Sequence, residues 1–133
     1  MHSPDIVAVI NTAPDTVDLL KDALERAGFV VVSTYTHAIR DGEVNLEAFL
    51  RTHQPKVIVY DLAPPYERNW AFFQSLRQTV MRDCRFVLTS VNSAQVERLV
   101  RNDQRVYEVV GHQEDLDALV QATREAARAR DTR

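Results

Sequence analysis

A single carboxylate stands at the end of the most apolar stretch of the chain. Residues 57–60 read Val-Ile-Val-Tyr, and Asp61 follows them directly. An unbroken run of β-branched and aromatic residues is typical of a strand covered on both faces in a parallel sheet. Pro55 precedes this strand, and Pro64 and Pro65 stiffen the loop that follows it. Because ligands gather at the carboxyl ends of strands in open α/β sheets, Asp61 is a candidate reactive group.

The remaining segments supply the elements that would position this strand. Strand-like apolar runs alternate with segments of helical periodicity along the whole chain. The predicted strands cover residues 6–10, 29–33, 57–60, 85–89 and 106–110. The predicted helices begin at Pro14, at Asn45, before Trp70, at Asn92 or Ser93 and near Glu114. Gly28 is predicted to end the first helix. Residues 35–43 are predicted to form a loop.

This alternation predicts one flavodoxin-like (βα)5 domain, a doubly wound parallel sheet in strand order 2-1-3-4-5 with two helices on one face and three on the other. The whole of residues 1–133 is assigned to this domain, with a core over about residues 5–127 and a frayed tail over residues 128–133. The polar ends of the first, third and fourth strands should therefore share one small cleft. Asn11, Asp61 and Thr89 are the residues at those ends.

The composition narrows the classes of partner and setting. A net charge of −3 gives no electrostatic reason to expect nucleic-acid or anionic-membrane binding. The longest apolar runs are too short to span a bilayer, and the first residues lack the features of a signal peptide. Cys84 is the only cysteine, which predicts a reducing cytoplasm and a packing role. The four histidines show no metal-ligand spacing.

Five βα units, Asp61 ending the third strand, Thr89 ending the fourth and Tyr107 on the fifth together resemble a response-regulator receiver domain. The resemblance extends over about residues 6–127. It implies that Asp61 corresponds to the phosphoryl acceptor and Thr89 to the hydroxyl that bonds the phosphoryl oxygen. It likewise implies that Tyr107 corresponds to an aromatic that changes rotamer on activation. Ordinary strand-end or packing roles are the alternatives for all three residues.

Two departures from the receiver pattern concern charged residues. Receivers usually carry two adjacent acidic residues after the first strand, and this chain has Asn11 and Thr12 there. Their fifth strand usually ends in Lys-Pro, whereas Val110, Gly111 and His112 occupy this region here. Both departures remove charges that the family uses at the phosphoryl site.

These departures predict a degenerate site. Phosphoryl transfer to a carboxylate brings anions together, and Mg²⁺ offsets their charge. Mg²⁺ usually depends on one or two carboxylates besides phosphate and water, and Asp61 is the one dependable anionic ligand here. The Asn11 carbonyl and the Thr12 hydroxyl would support weak binding at most. We therefore expect no cofactor, with Mg²⁺ bound weakly if it binds.

The leading hypothesis is a stand-alone, atypical receiver domain that is not an enzyme and signals by protein–protein contact. Its partner would be a histidine kinase or a downstream regulator, and a homodimer is open. The resemblance places the contact face on the fourth helix, fifth strand and fifth helix of the receiver fold. The residues assigned to this face are Glu97, Arg98, Arg101, Glu108, Gln121, Arg124 and Arg128.

Two alternatives stay open. The first is a fully competent aspartyl phosphoacceptor in a two-component phosphorelay, which the presence of Asp61 and Thr89 favours. The second is a flavodoxin-like module that binds a small ligand at the strand ends. The second ranks last, because the chain has only three glycines and no glycine-rich phosphate loop.

Overall fold

Five parallel strands form one sheet in the part of the chain that the structure describes. The structure is a computed structural model, and it describes residues 4–79, 81, 84–101, 106–111 and 116–128, with the backbone alone for Ser93 and residues 106–111. The strand order β2-β1-β3-β4-β5 confirms the predicted topology. The strands are β1 (Ile6–Asn11), β2 (Val30–Tyr35), β3 (Val57–Asp61), β4 (Arg85–Ser90) and β5 (Val106–Gly111).

Helices connect the strands, and one of them was not predicted. The helices of the described residues are α1 (Pro14–Arg26), α2 (Thr36–Arg40), α3 (Leu46–His53), α4 (Tyr66–Gln78), α5 (Ser93–Leu99) and α6 (Leu116–Arg128). The prediction of a loop over residues 35–43 was wrong, because α2 follows β2 directly. A five-residue helix is too short to be stable from its own propensity. Burial of Ala38 and the packing of Ile39 against the core stabilise it instead.

The predicted helix ends are confirmed where the sequence offered capping chemistry. Asn45 accepts a hydrogen bond from the Ala48 N–H at 3.0 Å, and Asn92 accepts one from the Gln95 N–H at 3.2 Å. Both side chains satisfy backbone donors that the first turn of a helix leaves without partners. Gly28 ends α1 with a φ of +100°, in the left-handed region that favours glycine.

The sheet divides the hydrophobic core into two layers. Val7 and Val9 of β1 pack with α1 and α6, whereas Ala8 and Ile10 pack with α3, α4 and α5. This alternation is the period of two of a β-strand, and both layers are apolar because both faces of the sheet are covered. Two helices cover one face as predicted, and the other face carries the predicted three helices and also α2, whose Ile39 packs against the second layer.

Candidate functional site

The carboxyl ends of three neighbouring strands carry buried polar side chains. Asn11, Asp61 and Thr89 are 2%, 7% and 5% exposed. Asp61 pairs directly with Thr89, and the pairing of Ile10 with Tyr60 places Asn11 beside Asp61. All three continue the strand positions that face α1 and α6, since they follow Val9, Val59 and Val87 at a spacing of two. The predicted grouping of these residues at one edge of the sheet is confirmed.

A hydrogen bond joins the two residues that the sequence singled out first. The Thr89 hydroxyl donates to Oδ1 of Asp61 at 2.7 Å. Just beyond the strand, the Leu62 N–H donates to the Thr89 carbonyl at 2.8 Å, so the ladder between the strands continues past the site. A short bond from a hydroxyl to a carboxylate is of the charge-assisted kind. It fixes the position of one carboxylate oxygen.

Asn11 shapes the loop between β1 and α1. Its Oδ1 accepts hydrogen bonds from the N–H groups of Thr12 at 2.6 Å and Ala13 at 3.1 Å. Only an oxygen can accept from two backbone donors, and this geometry therefore identifies the other terminal atom as the amide nitrogen. Nδ2 of Asn11 is buried and has no hydrogen-bond partner among the described residues. The Asn11 carbonyl oxygen thus provides the acceptor for two N–H groups of the loop, while its NH₂ group is buried.

These contacts do not fit the Mg²⁺ site that the receiver resemblance implies. The Asn11 carbonyl oxygen already accepts two hydrogen bonds, and its amide group is a donor that offers a cation no lone pair. Thr12 is exposed, and one oxygen of Asp61 accepts the Thr89 hydroxyl. Within the described ranges, no three His, Cys, Asp or Glu side chains lie close enough together to hold a metal ion.

On the opposite face, an arginine fixes the loop that follows Asp61. The Arg40 guanidinium of α2 lies 5.0 Å from the centroid of the Phe72 ring and donates to Oδ1 of Asn69 at 3.3 Å. The Asn69 amide in turn donates to the Ala63 carbonyl at 2.6 Å. Sequence patterns do not single out Arg40, because it lies in the segment that was predicted to be a loop. The aromatic residues on α4 indicate that a cationic side chain could pack on one of their rings, but they do not identify Arg40 as that side chain.

Tyr60 precedes Asp61 on β3 and belongs to the second core layer. Its ring packs in the second core layer at 4.8 Å from the Phe73 centroid. Burial raises the pKa of Tyr60 to about 12, and the positive charge of Arg40 partly opposes that rise. The residue next to Asp61 in the chain is therefore a neutral phenol throughout the physiological range.

The end of β5 lies beside the site. Val110 pairs with Thr89, and Gly111 pairs with Ser90, so the region where receivers carry lysine is adjacent to the Thr89 strand. The side chains of Tyr107 and Glu108 and all of His112 lie outside what the structure describes. Their assigned roles stay predictions.

The proposed contact face divides into two groups of residues. Glu97 and Arg98 on α5, Arg101 beyond it and Gln121 on α6 are exposed. Arg124 instead donates to the Ala27 carbonyl at the end of α1, at 3.4 Å. Arg124 and Arg128 also line a hollow with Gly28 and Phe29, on the side of α6 that faces α1. Both arginines thus lie on the side of α6 towards α1, and their assignment to the contact face stays a prediction.

Searches with the sequence alone find no matching protein-family model and no matching curated protein. Comparison with solved structures finds a response regulator from Thermotoga maritima, with a TM-score of 0.67 and 16% identity over 96% of this chain and 100% of that chain. A sensor protein from Polaromonas sp. JS666 has a TM-score of 0.72 and 22% identity over 94% of this chain and 97% of that chain.

An orphan response regulator of H. pylori matches with a TM-score of 0.68 and 14% identity, over 93% of this chain and 97% of that chain. The shared architecture extends over nearly the whole chain in each case. This protein therefore has the fold of response-regulator receiver domains. None of the helices in the described ranges is both long and apolar enough to cross a membrane.

Proposed function

We propose that this protein is a signalling module of receiver fold that acts by protein–protein contact and whose phosphoacceptor site is degenerate. The observation that carries the proposal is the side chain of Asn11. In the position where receivers place an acidic residue, it turns its oxygen to the backbone of Thr12 and Ala13 and buries its amide group. A site arranged in this way has Asp61 as a carboxylate but lacks the acidic pair that receivers place beside it to hold Mg²⁺.

The chemical consequence concerns the attack of Asp61 on a phosphoryl donor. Bond formation between a carboxylate oxygen and phosphorus brings two anions together, and a metal ion normally neutralises the developing charge. The described residues at this edge of the sheet supply the Thr89 hydroxyl, which already donates to Asp61. A neutral donor stabilises the added negative charge far less than a divalent cation does. We expect Asp61 to be phosphorylated very slowly by small donors.

The signal would then pass through a surface that the unmodified chain already presents. A ligand or partner selects among conformations according to its differential affinity, without any need for covalent modification. Glu97, Arg98, Arg101 and Gln121 are exposed residues of mixed charge on and beside α5 and α6, which contact β5 from opposite faces of the sheet, and we take them as one candidate patch. We infer that this patch binds a signalling protein in the cytoplasm, with a kinase or a downstream regulator as the partner class. Mixed-sign charges suit specific pairing.

Two experiments test the proposal. The first incubates the protein with acetyl phosphate and Mg²⁺ and measures acyl-phosphate formation by intact-mass spectrometry. We expect wild type to show no added phosphoryl mass beyond what Asp61→Ala shows. A stable modification at Asp61 would support the competent phosphoacceptor instead.

The second experiment measures capture of partner proteins from cells by tagged variants. Arg98→Glu and Arg101→Glu should weaken capture, while Asp61→Ala should leave it unchanged. Arg26→Glu is the matched control, because Arg26 is an exposed arginine on α1 whose side chain is 79% accessible. Loss of capture in Asp61→Ala together with normal capture by the arginine variants would overturn the proposal.

A further inference from the structure

The outer side of β2 is an open sheet edge. β2 pairs with β1 through all six of its residues, and no other strand of the described residues pairs with it. Its sequence, Val-Val-Val-Ser-Thr-Tyr, contains no charge, proline or glycine. Proteins usually protect such edges with charged residues, proline or a bulge, because open edges pair with other strands. The continuous register between β1 and β2 shows no bulge here.

The direction of the backbone groups follows from one hydrogen bond. The Val30 N–H donates to the Asp5 carbonyl at 3.0 Å, so the polar groups of Val30 face β1. Backbone groups alternate in direction along a strand. The N–H and C=O groups of Val31, Ser33 and Tyr35 therefore point to the outer side. Ser33 is exposed, so the middle of this edge is accessible.

We infer that the outer edge of β2 pairs in antiparallel fashion with β2 of a second copy of this chain, about a two-fold axis at Ser33. Hydrogen-bonded pairs must form between residues whose backbone groups point outward. A register centred on Ser33 is the one that uses all three such residues of each strand, pairing Ser33 with Ser33 and Val31 with Tyr35. This register yields about six intermolecular hydrogen bonds.

The side chains favour a second copy because the edge is self-complementary. In the Ser33-centred register, Val31 lies opposite Tyr35, and pairs of β-branched and aromatic residues are favourable across strands. Val32 lies opposite Thr34, and the residues on the axis are two small hydroxyl side chains. No charged residue lies within either strand, so no like charges meet. Two-fold symmetry requires a patch that matches itself, and this edge does.

The decisive test is a charge exchange on the axis. Ser33→Lys places two like charges directly opposite each other in the dimer, and Ser33→Glu does the same with the opposite sign. Sedimentation velocity at protein concentrations up to about 1 mM can detect a dimer even if its Kd is near that concentration. We expect wild type to dimerise and each variant to dimerise at least about tenfold more weakly, because like charges would face each other across the interface. A mixture of the two variants should form a heterodimer at least about tenfold tighter than either variant alone.

The control variant is Thr52→Lys, which adds the same charge at an exposed position on α3 and should dimerise like wild type. Circular dichroism checks the fold of each variant. Amide hydrogen exchange gives an independent measurement. Protection of the Val31, Ser33 and Tyr35 amides should rise with protein concentration, while that of Val30 should not.

Four outcomes would overturn the inference. The first is a wild-type chain that stays monomeric at every concentration, and the second is a dimer that persists in Ser33→Lys. The third is a mixture of the Ser33→Lys and Ser33→Glu variants that does not associate. The fourth is protection of the Val31, Ser33 and Tyr35 amides only when a strand of another protein is added. If Arg98→Glu breaks a dimer that Ser33→Lys leaves intact, self-association belongs to the α5–α6 patch. That result would reject the β2 interface without touching the proposed function.

Discussion

Replacing Asn11 with aspartate exchanges one buried amide group for a charged oxygen. The carboxylate can keep both hydrogen bonds from the Thr12 and Ala13 N–H groups, so the loop should retain its geometry. What changes is the group that points into the interior. Nδ2 has no hydrogen-bond partner among the described residues, and an anionic oxygen would take its place beside Asp61.

The size of the effect follows from the distance between adjacent strands. Neighbouring strands lie about 4.8 Å apart. Two unit charges about 5 Å apart at an effective dielectric constant of about 20 repel by about 3 kcal/mol. Relaxation of the side chains reduces this repulsion. We expect Asn11→Asp to lower the free energy of unfolding by about 1–3 kcal/mol in the absence of divalent cations.

Magnesium should reverse that loss, because two adjacent carboxylates form the kind of site it binds. A ligand at a hundred times its Kd stabilises the folded state by about 2.7 kcal/mol, which is close to the expected destabilisation. Urea unfolding with and without Mg²⁺ measures both quantities. The fluorescence of Trp70 reports the transition, since Trp70 is the only tryptophan and stacks on Phe73 at 5.4 Å.

Asn45→Asp is the matched control for this experiment. Asn45 also accepts a backbone hydrogen bond with its Oδ1, but it is exposed and begins α3, where aspartate caps as well as asparagine. This variant should match wild type within about 0.5 kcal/mol in either buffer. Equal stability of Asn11→Asp and wild type without Mg²⁺, or equal stabilisation of both proteins by Mg²⁺, would contradict the prediction.

Three further predictions concern single side chains. Thr89→Val should lower the unfolding free energy by about 2 kcal/mol in urea titrations, because it removes a buried bond to the Asp61 carboxylate; a loss below about 0.5 kcal/mol would contradict the role of that bond. The raised pKa of Tyr60 means that its contribution to stability is complete below about pH 10 and is lost as the pH rises towards 12, by about 2–3 kcal/mol. Tyr60→Phe should lack this alkaline loss, and equal pH profiles would refute the assignment. Gln54→Gly should raise the thermal midpoint, since Gln54 has a φ of +48° and glycine removes a strain of up to about 1 kcal/mol; a lower midpoint would show that unfolded-state entropy dominates.

The sequence predicted the elements whose signals are local. The β-branched run before Asp61 and the turn chemistry of Gly28, Asn45 and Asn92 each identify an element from a few neighbouring residues. The placement of Asp61 beside Thr89 followed from topology, because parallel strands in a known order bring their carboxyl ends together.

The features that local sequence patterns did not reveal have a tertiary origin. α2 has five residues and no side-chain cap, so its stability comes from contacts that no local pattern reveals. The bond between Arg124 and the Ala27 carbonyl spans 97 residues in sequence, and an exposed arginine on either side of α6 would look the same in the chain. The orientation of the Asn11 amide likewise depends on the backbone of the folded loop.

The separation of the core into two layers has a consequence for how the sequence can vary. Val9 and Ile10 are neighbours in the chain, yet each contacts a different set of helices. A volume change at Val9 would be compensated by residues such as Leu20 or Leu119, and one at Ile10 by residues such as Leu50 or Phe73. Substitution effects within a layer should be coupled, whereas effects across the sheet should be nearly additive. Each layer can thus accumulate its own compensating substitutions, with the strand backbones as their common boundary.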